Sequence, residues 1–158
     1  MRKIIIIGNS GSGKTTLASQ LAKENNLPHL DLDVLAWESP GIRKDPESTL
    51  EEINSFLEQH QSWVIEGCYG TLLQEIVNSS NELIFLNPGI ETCLQNNLSR
   101  PWEPHKYDSA EAQDSNLEML QAWVKEYETR DDEYSLQYHR KIFDEFTGYK
   151  REIKQVLK

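Results

Sequence analysis

The chain is short of positive charge, of cysteine and of long apolar runs. Against 26 Asp and Glu it has 16 Lys and Arg, a formal charge of −10. Affinity for nucleic acid rests on cations set against phosphates, so nucleic-acid binding is not expected. The deficit is uneven. Residues 45–99 contain no Lys or Arg, and the cations gather near the N-terminus, at Arg43 and Lys44, at Arg100 and Lys106, and from Lys125 onward. Any anionic ligand must draw on these. The only cysteines, Cys68 and Cys93, make neither a disulfide framework nor a metal-site spacing, so reduced thiols in a cytoplasmic protein are expected. Neither has a neighbouring His or Lys in sequence that would argue for a nucleophile. No apolar run approaches the roughly 20 residues that span a bilayer, so no membrane partner is expected. At 158 residues the chain reads as one domain, 1–158, with one substantial core. A glycine loop beginning at residue 8 leaves little room for a leader before it.

That loop is what the chain does have. Gly8-Asn9-Ser10-Gly11-Ser12-Gly13-Lys14-Thr15 matches the Walker A phosphate loop in full. The glycines let successive backbone N–H groups wrap one phosphate, Lys14 can reach the β- and γ-phosphates, and the Thr15 hydroxyl can ligate Mg²⁺. Thr16 follows at the start of the helix and joins the nucleotide-binding set. The context agrees. A β-branched run at Lys3-Ile4-Ile5-Ile6-Ile7 suits a buried parallel strand. Leu17, Ala18, Leu21 and Ala22 then repeat at helical spacing, and a helix N-terminus favours phosphate.

Further along, strands are predicted at residues 2–7, 29–32, 62–66 and 82–86, with helices at 14–25, 45–60, 72–77, 90–98, 114–130 and 134–146. Asp45-Pro46 reads as a capped helix start. Residues 34–44, with Pro40-Gly41, read as a loop, and Gly148 as a helix C-cap. Residues 150–157 could be an edge strand or a last helix. The alternation predicts an α/β fold with a mainly parallel sheet covered on both faces. Ligands of such sheets lie at the carboxyl ends of the strands, which makes the strand ends the candidate site.

The third strand ends in Trp63-Val64-Ile65-Glu66-Gly67, the form of a Walker B strand whose carboxylate holds Mg²⁺ through water. The second ends in Asp31-Leu32-Asp33. Residues i and i+2 on a strand share a face, so both carboxylates are expected beside the loop, one to orient metal-bound water and the other to accept a proton from an acceptor hydroxyl. Two prolines in Arg100-Pro101-Trp102-Glu103-Pro104-His105-Lys106-Tyr107 forbid regular helix. This stretch reads as a lid, about residues 99–110, with Arg100 stabilising charge on the transferred group. Arg130 beside Asp131 and Asp132, and His139-Arg140 on an amphipathic helix, are weaker phosphate ligands than local ion pairs and solvated faces. Trp123, Tyr127, Tyr134, Tyr138, Phe143 and Phe146 fall at helical spacing and read as core rather than as a base-stacking platform.

The loop, Asp31-Leu32-Asp33 and Trp63-Val64-Ile65-Glu66-Gly67-Cys68-Tyr69, in that order, resemble the small P-loop kinases of the adenylate kinase and shikimate kinase group. More narrowly, with Trp123-Val124 through Gly148-Tyr149-Lys150, the chain is similar to bacterial adenylate-kinase-related proteins called topology modulation proteins. The resemblance implies a three-layer α/β/α P-loop NTPase with a five-stranded parallel sheet in order 2-3-1-4-5. It implies Mg·ATP as phosphoryl donor, with Lys14 and Thr15 on phosphate and metal. Asp31 and Asp33 match the Asp-x-Asp of shikimate kinases, which implies metal water for the first and acceptor binding for the second. Glu66 falls where adenylate kinases carry the Asp of an Asp-Gly pair. Adenylate kinases also place an arginine after the second strand and several in the lid. Here residues 45–99 have none and the lid has Arg100 alone, so a hydroxyl-rich acceptor fits better than a nucleoside monophosphate. The subgroup's name implies a link to DNA supercoiling, which the acidic composition does not support.

Two functions are therefore expected in order of preference. The first is an ATP-dependent small-molecule kinase acting on a hydroxyl-bearing acceptor, with Lys14, Asp33 and Arg100 catalytic, residues 8–16 and Arg100 on the nucleotide, and Thr15, Glu66 and Asp31 on Mg²⁺. The second is a nucleotide-binding or slowly hydrolysing regulatory P-loop NTPase with no acceptor. Acceptor identity, base preference and oligomeric state are not legible.

Overall fold

A computed structural model of the chain describes residues 1–39 and 42–155. Five parallel strands form its central sheet: β1 (Lys3–Gly8), β2 (His29–Asp31), β3 (Trp63–Gly67), β4 (Glu82–Leu86) and β5 (Tyr149–Ile153). Their spatial order is β2-β3-β1-β4-β5, the order expected. β1 lies at the centre, with Ile5 level with Ile65 on one side and Leu83 on the other. Side chains alternate across a strand, and the isoleucine run uses both faces. Ile5 and Ile7 enter one core with Leu32, Ile53, Trp63, Leu73 and Phe85. Ile4 and Ile6 enter the other with Leu17, Ala18, Val64, Ile84 and Leu86. An apolar run without alternation is thus the signature of a strand covered on both sides, and the three-layer α/β/α architecture follows.

The helices are α1 (Lys14–Asn25), α2 (Leu32–Ala36), α3 (Pro46–Gln59), α4 (Gly70–Ile76), α5 (Ile90–Leu98), α6 (Ala110–Lys125) and α7 (Leu136–Glu145). α1 ends at Asn26 in the left-handed conformation, φ 53°, just ahead of Leu27-Pro28. α3 starts as read: the Asp45 side chain accepts from the Ser48 amide, with Pro46 in the first turn.

Several expectations are corrected. Residues 34–44 are not a plain loop. α2 occupies their first part, and Trp37–Ser39 pairs antiparallel with Ile42–Arg43 in a short ribbon; Pro40-Gly41 lie outside the described residues. α6 begins at Ala110 rather than near residue 114, because Ser109 caps it by accepting from the Ala112 amide. Gly148 is no C-cap. α7 stops at Phe146 with extended backbone, and Gly148 is small because a Cβ there would lie 2.8 Å from the Phe146 ring. Residues 149–153 settle as the edge strand beside β4; residues 156–158 lie outside the described set. Among the described residues no helix is long and apolar enough to cross a membrane.

Candidate active site

The carboxyl ends of β1, β2 and β3 open into one cavity of about 1390 Å³, walled on its far side by residues 99–108 and the inner face of α6. The phosphate loop forms its floor. Gly11 and Gly13 have φ of 84° and 98°, a region that side-chain-bearing residues seldom adopt. Gly11 is also pressed against α5, where a Cβ would come within 2.4 Å of the Cys93 carbonyl oxygen. Asn96 Nδ2 donates to the Gly11 carbonyl at 2.7 Å and Asn97 Nδ2 to that of Ser10 at 3.5 Å. Asn9 turns back on its own loop, its Oδ1 accepting from the Ser10 amide at 2.9 Å. No side chain caps α1 at Gly13, so its first-turn amides, those of Lys14, Thr15 and Thr16, keep the unpaired donors that every helix start carries. The Ser12 hydroxyl is buried without a partner. These orphaned donors, around an open Gly13 with nothing within 4 Å of its Cβ position, suit an anion. Lys14 Nζ donates to the Asn9 carbonyl at 2.7 Å, folded over the loop it serves.

Glu66 lies at the end of β3 and is buried. The Thr15 hydroxyl donates to its Oε1 at 2.8 Å. On its other side the His29 ring contacts Oε2 at 2.7 Å, and that hydrogen bond raises the histidine above its ordinary value. β2 and β3 are in register there, Asp31 opposite Glu66. Among the described residues no cluster of three His, Cys, Asp or Glu is set to hold a metal by itself. The donor set present, one hydroxyl and two neighbouring carboxylates, is all oxygen, and it suits a Mg²⁺ that keeps its waters and shares a nucleotide's phosphates.

Asp31 and Asp33 both reach the cleft, but not as alternate residues of one strand. β2 stops at Asp31, whose Oδ1 accepts from the Asp33 amide at 2.9 Å and caps α2. Asp33 therefore sits in the first helical turn. Burial, with Asp33 and Glu66 close by, pushes the Asp31 carboxyl up to about 6. Burial also acts to raise Asp33, but the Lys106 ammonium, the Tyr69 hydroxyl and Lys14 outweigh it and hold that carboxyl below its ordinary range.

The strongest feature that sequence reasoning passed over is Lys106. It was legible as a cation in the 99–110 segment, but nothing in spacing linked it to β2. Its Nζ lies 2.7 Å from Asp33, 3.2 Å from Glu103 and 3.9 Å from Asp31. Arg100 lines the same cavity, 3.3 Å from Glu103. Aromatic residues were also misjudged in part. Trp123 and Tyr134 line the cavity along with Trp37 and Tyr69. Tyr127 and Phe146 are core, as expected. The Trp37 indole donates to the Tyr69 hydroxyl at 2.8 Å, which donates to Asp33. Arg43 lies 4.7 Å over the Tyr69 ring and donates to the Tyr134 hydroxyl.

Other candidates are occupied elsewhere. Arg130 pairs with Asp132 at 3.0 Å and covers the Trp123 ring at 4.2 Å. Arg140 forms a two-pronged pair with Glu152, both contacts at 2.8 Å. The His139 ring is wholly buried. Its Nε2–H donates to the Cys68 carbonyl at 2.8 Å, so Nδ1 must accept from the Tyr127 hydroxyl at 2.8 Å; burial pushes it down to about 4. Burial pushes the Cys68 thiol up to about 12, which rules it out as a nucleophile at neutral pH. Both cysteines are free.

No known family profile matches the chain. A shikimate kinase of Flavobacterium johnsoniae is 32% identical over 97 residues, which are 61% of this chain and 51% of that protein. The chain thus spans about half the length of this curated relative. Among solved structures, a shikimate kinase from Bacteroides thetaiotaomicron superposes with a TM-score of 0.52 at 20% identity, covering 79% of each chain. A gluconokinase from Sinorhizobium meliloti superposes with 0.53 at 17% identity, covering 98% of this chain and 83% of its own. The fold is that of the small P-loop kinases. In a P-loop kinase fold the cavity just described is the carboxyl-end crevice where ligands of open α/β sheets bind. These relatives do not bear on the narrower likeness to topology modulation proteins.

Proposed function

We propose that the chain is a Mg·ATP-dependent phosphotransferase acting on a hydroxyl group of a small molecule, built as one P-loop kinase-like domain over residues 1–158 with residues 99–110 as its lid. The observation that carries this reading is the meeting of two halves in one cavity. The phosphate loop with the Thr15–Glu66 pair forms one half, and the Asp31–Asp33 turn faces it. Relatives named as shikimate kinases and a structural neighbour named as a gluconokinase support a small hydroxyl-bearing acceptor.

The residues then divide the work. Residues 8–16 cradle the phosphates, with Lys14 free to leave the Asn9 carbonyl for them. Thr15 directs its proton to Glu66, which turns its lone pairs outward to a cation. Glu66 and Asp31 would orient the waters of a cation bound there. Mg²⁺ held there would neutralise charge on the phosphates. Asp33 accepts the acceptor's hydroxyl proton, and Lys14 and Arg100 balance charge on the group in transit, which is most of what this reaction demands. Trp37 and Trp123, which line the cavity, offer apolar surface to the acceptor's carbon skeleton.

The test is a screen of polyols, sugars, sugar acids and cyclic hydroxy acids for compounds that raise ATP turnover above hydrolysis. Asp33→Asn should lower that stimulated rate on the order of 10²- to 10⁴-fold, the usual contribution of a positioned general base, and leave Mg·ATP binding in place. Turnover that no acceptor ever raises above hydrolysis would favour a regulatory NTPase instead.

A further inference from the structure

Asp33 is the proposed base, yet neither of its oxygens is free. Oδ1 accepts from the Tyr69 hydroxyl, which the Trp37 indole holds in place. Oδ2 lies against the Lys106 ammonium at 2.7 Å. That ammonium is firmly seated. Its side chain is only 16% exposed, and Glu103 and Asp31 flank it at 3.2 and 3.9 Å. Glu103 is itself anchored, its amide donating to Gln113 Oε1 on α6 at 2.8 Å and its carboxylate contacting Arg100 at 3.3 Å. The turn between them is closed by the Lys106 amide on the Glu103 carbonyl at 3.0 Å.

We propose that Lys106 is a specificity-determining residue that keeps Asp33 from activating water and yields only to a hydroxyl acceptor. This rests on the kinase reading. A phosphate loop facing an unoccupied carboxylate would aim water at the γ-phosphate, and hydrolysis is the side reaction that closure of a kinase site must suppress. An ammonium has three donors and no acceptor, so on Asp33 it fills the position where a nucleophile's proton would point and brings no nucleophile of its own. Water offers too little to displace a cation held by Asp33, Asp31 and Glu103 together. An acceptor lying along Trp37 and Trp123 gains contact along its skeleton, and binding energy of that kind can drive rearrangement of the reacting centre. Lys106 does not then lose its charge balance, because the Glu103 carboxylate stays within reach, 3.2 Å away on the same turn.

The inference is tested without knowing the acceptor, by Mg·ATP hydrolysis in its absence. Binding of Mg·ATP is followed in parallel by calorimetry, and folding by thermal melts. Lys106→Met should raise hydrolysis on the order of tenfold, a fraction of what a freed general base contributes, and Lys106→Arg should restore the low rate. Adding Asp33→Asn to Lys106→Met should remove the gain. Unchanged or lower hydrolysis in a folded, Mg·ATP-binding Lys106→Met protein overturns the proposal. So does a gain that persists in the double variant, because a merely loosened lid would give that result. If Lys106→Met does not fold, Lys106→Gln, which keeps a polar end without the charge, is judged by the same outcomes. Failure of the wild-type chain to bind Mg·ATP would instead overturn the kinase reading on which the inference stands.

Discussion

Replacing Asp31 by Asn should make the metal-free protein more stable at pH 7, while weakening the site. The side chain is 13% exposed and its carboxyl is pushed from 3.8 to about 6, first by burial and then by Asp33 and Glu66. At pH 7 it is nonetheless ionised, and it carries its charge in a place that disfavours it. A tenfold change in proton affinity corresponds to about 1.4 kcal/mol, so the ionised form costs the fold about 2–3 kcal/mol. Asparagine keeps an oxygen to accept from the Asp33 amide and cap α2, while it removes the repulsion. The attractions to Lys106 at 3.9 Å and to the His29 ring are the offsetting losses. The sign of the pH dependence follows from the raised value. The folded protein holds the Asp31 proton more tightly than the unfolded chain, so this group adds stability fully below about pH 4 and loses it as pH rises through 6. Urea unfolding in EDTA at pH 7, 5 and 4 measures it. Asp31→Asn should exceed the wild type by about 2 kcal/mol at pH 7, and the advantage should fade to nothing by pH 4. A variant no more stable than the wild type at pH 7, or one with the same advantage at every pH, would refute the argument. Stability gained by deleting a strained group of a functional site is a familiar trade.

Two further outcomes follow from the same geometry. His139 titrates in the opposite sense. Its value of about 4 lies below the ordinary 6.5, so its contribution to stability is intact above pH 6.5 and is lost as pH falls toward 4, by about 3 kcal/mol. Asp31 masks this slope in the wild type. It should emerge in Asp31→Asn and largely vanish when His139→Gln is added, and a slope unaltered by that addition would sink the assignment. Gly11→Ala combines a φ of 84° with a Cβ 2.4 Å from a backbone oxygen, which should cost about 2 kcal/mol or more. It should also abolish Mg·ADP binding in calorimetry. A variant that melts and binds like the wild type would show that the loop relaxes freely there.

How much was legible depended on whether the signal was local. β4 and α5 have the bounds that their residue patterns predict, because a β-branched or apolar run closed by Asn87-Pro88-Gly89 needs no distant partner to stop it. Asp45 caps α3 for the same reason. Asp31-Leu32-Asp33 was legible as a pair of carboxylates at the cleft but not in its geometry. Strand parity was assumed, whereas the Asp31 side chain finds the Asp33 amide and turns the chain into α2. Local competition between a side chain and the backbone ladder decided it. Trp123 and Tyr134 show helical-face spacing in the sequence, and such spacing does not distinguish a face turned to the core from one turned to a cavity.

By itself the sequence determined the phosphate-loop half of the cavity. The residues from Gly8 to Thr15 carry their geometry in their own types, glycine where φ is positive and a lysine and a hydroxyl at the helix start, and the isoleucines before them specify a strand buried on both faces. The opposite half was decided by tertiary structure. Lys106 on Asp33, Tyr69 beneath it, His29 behind Glu66 and Asn96 on Gly11 join residues from separate strands, helices and the 99–110 segment. No periodicity or spacing encodes such contacts. They exist because the parallel sheet brings every strand's carboxyl end to one edge, where side chains far apart in the chain must balance one another's charge.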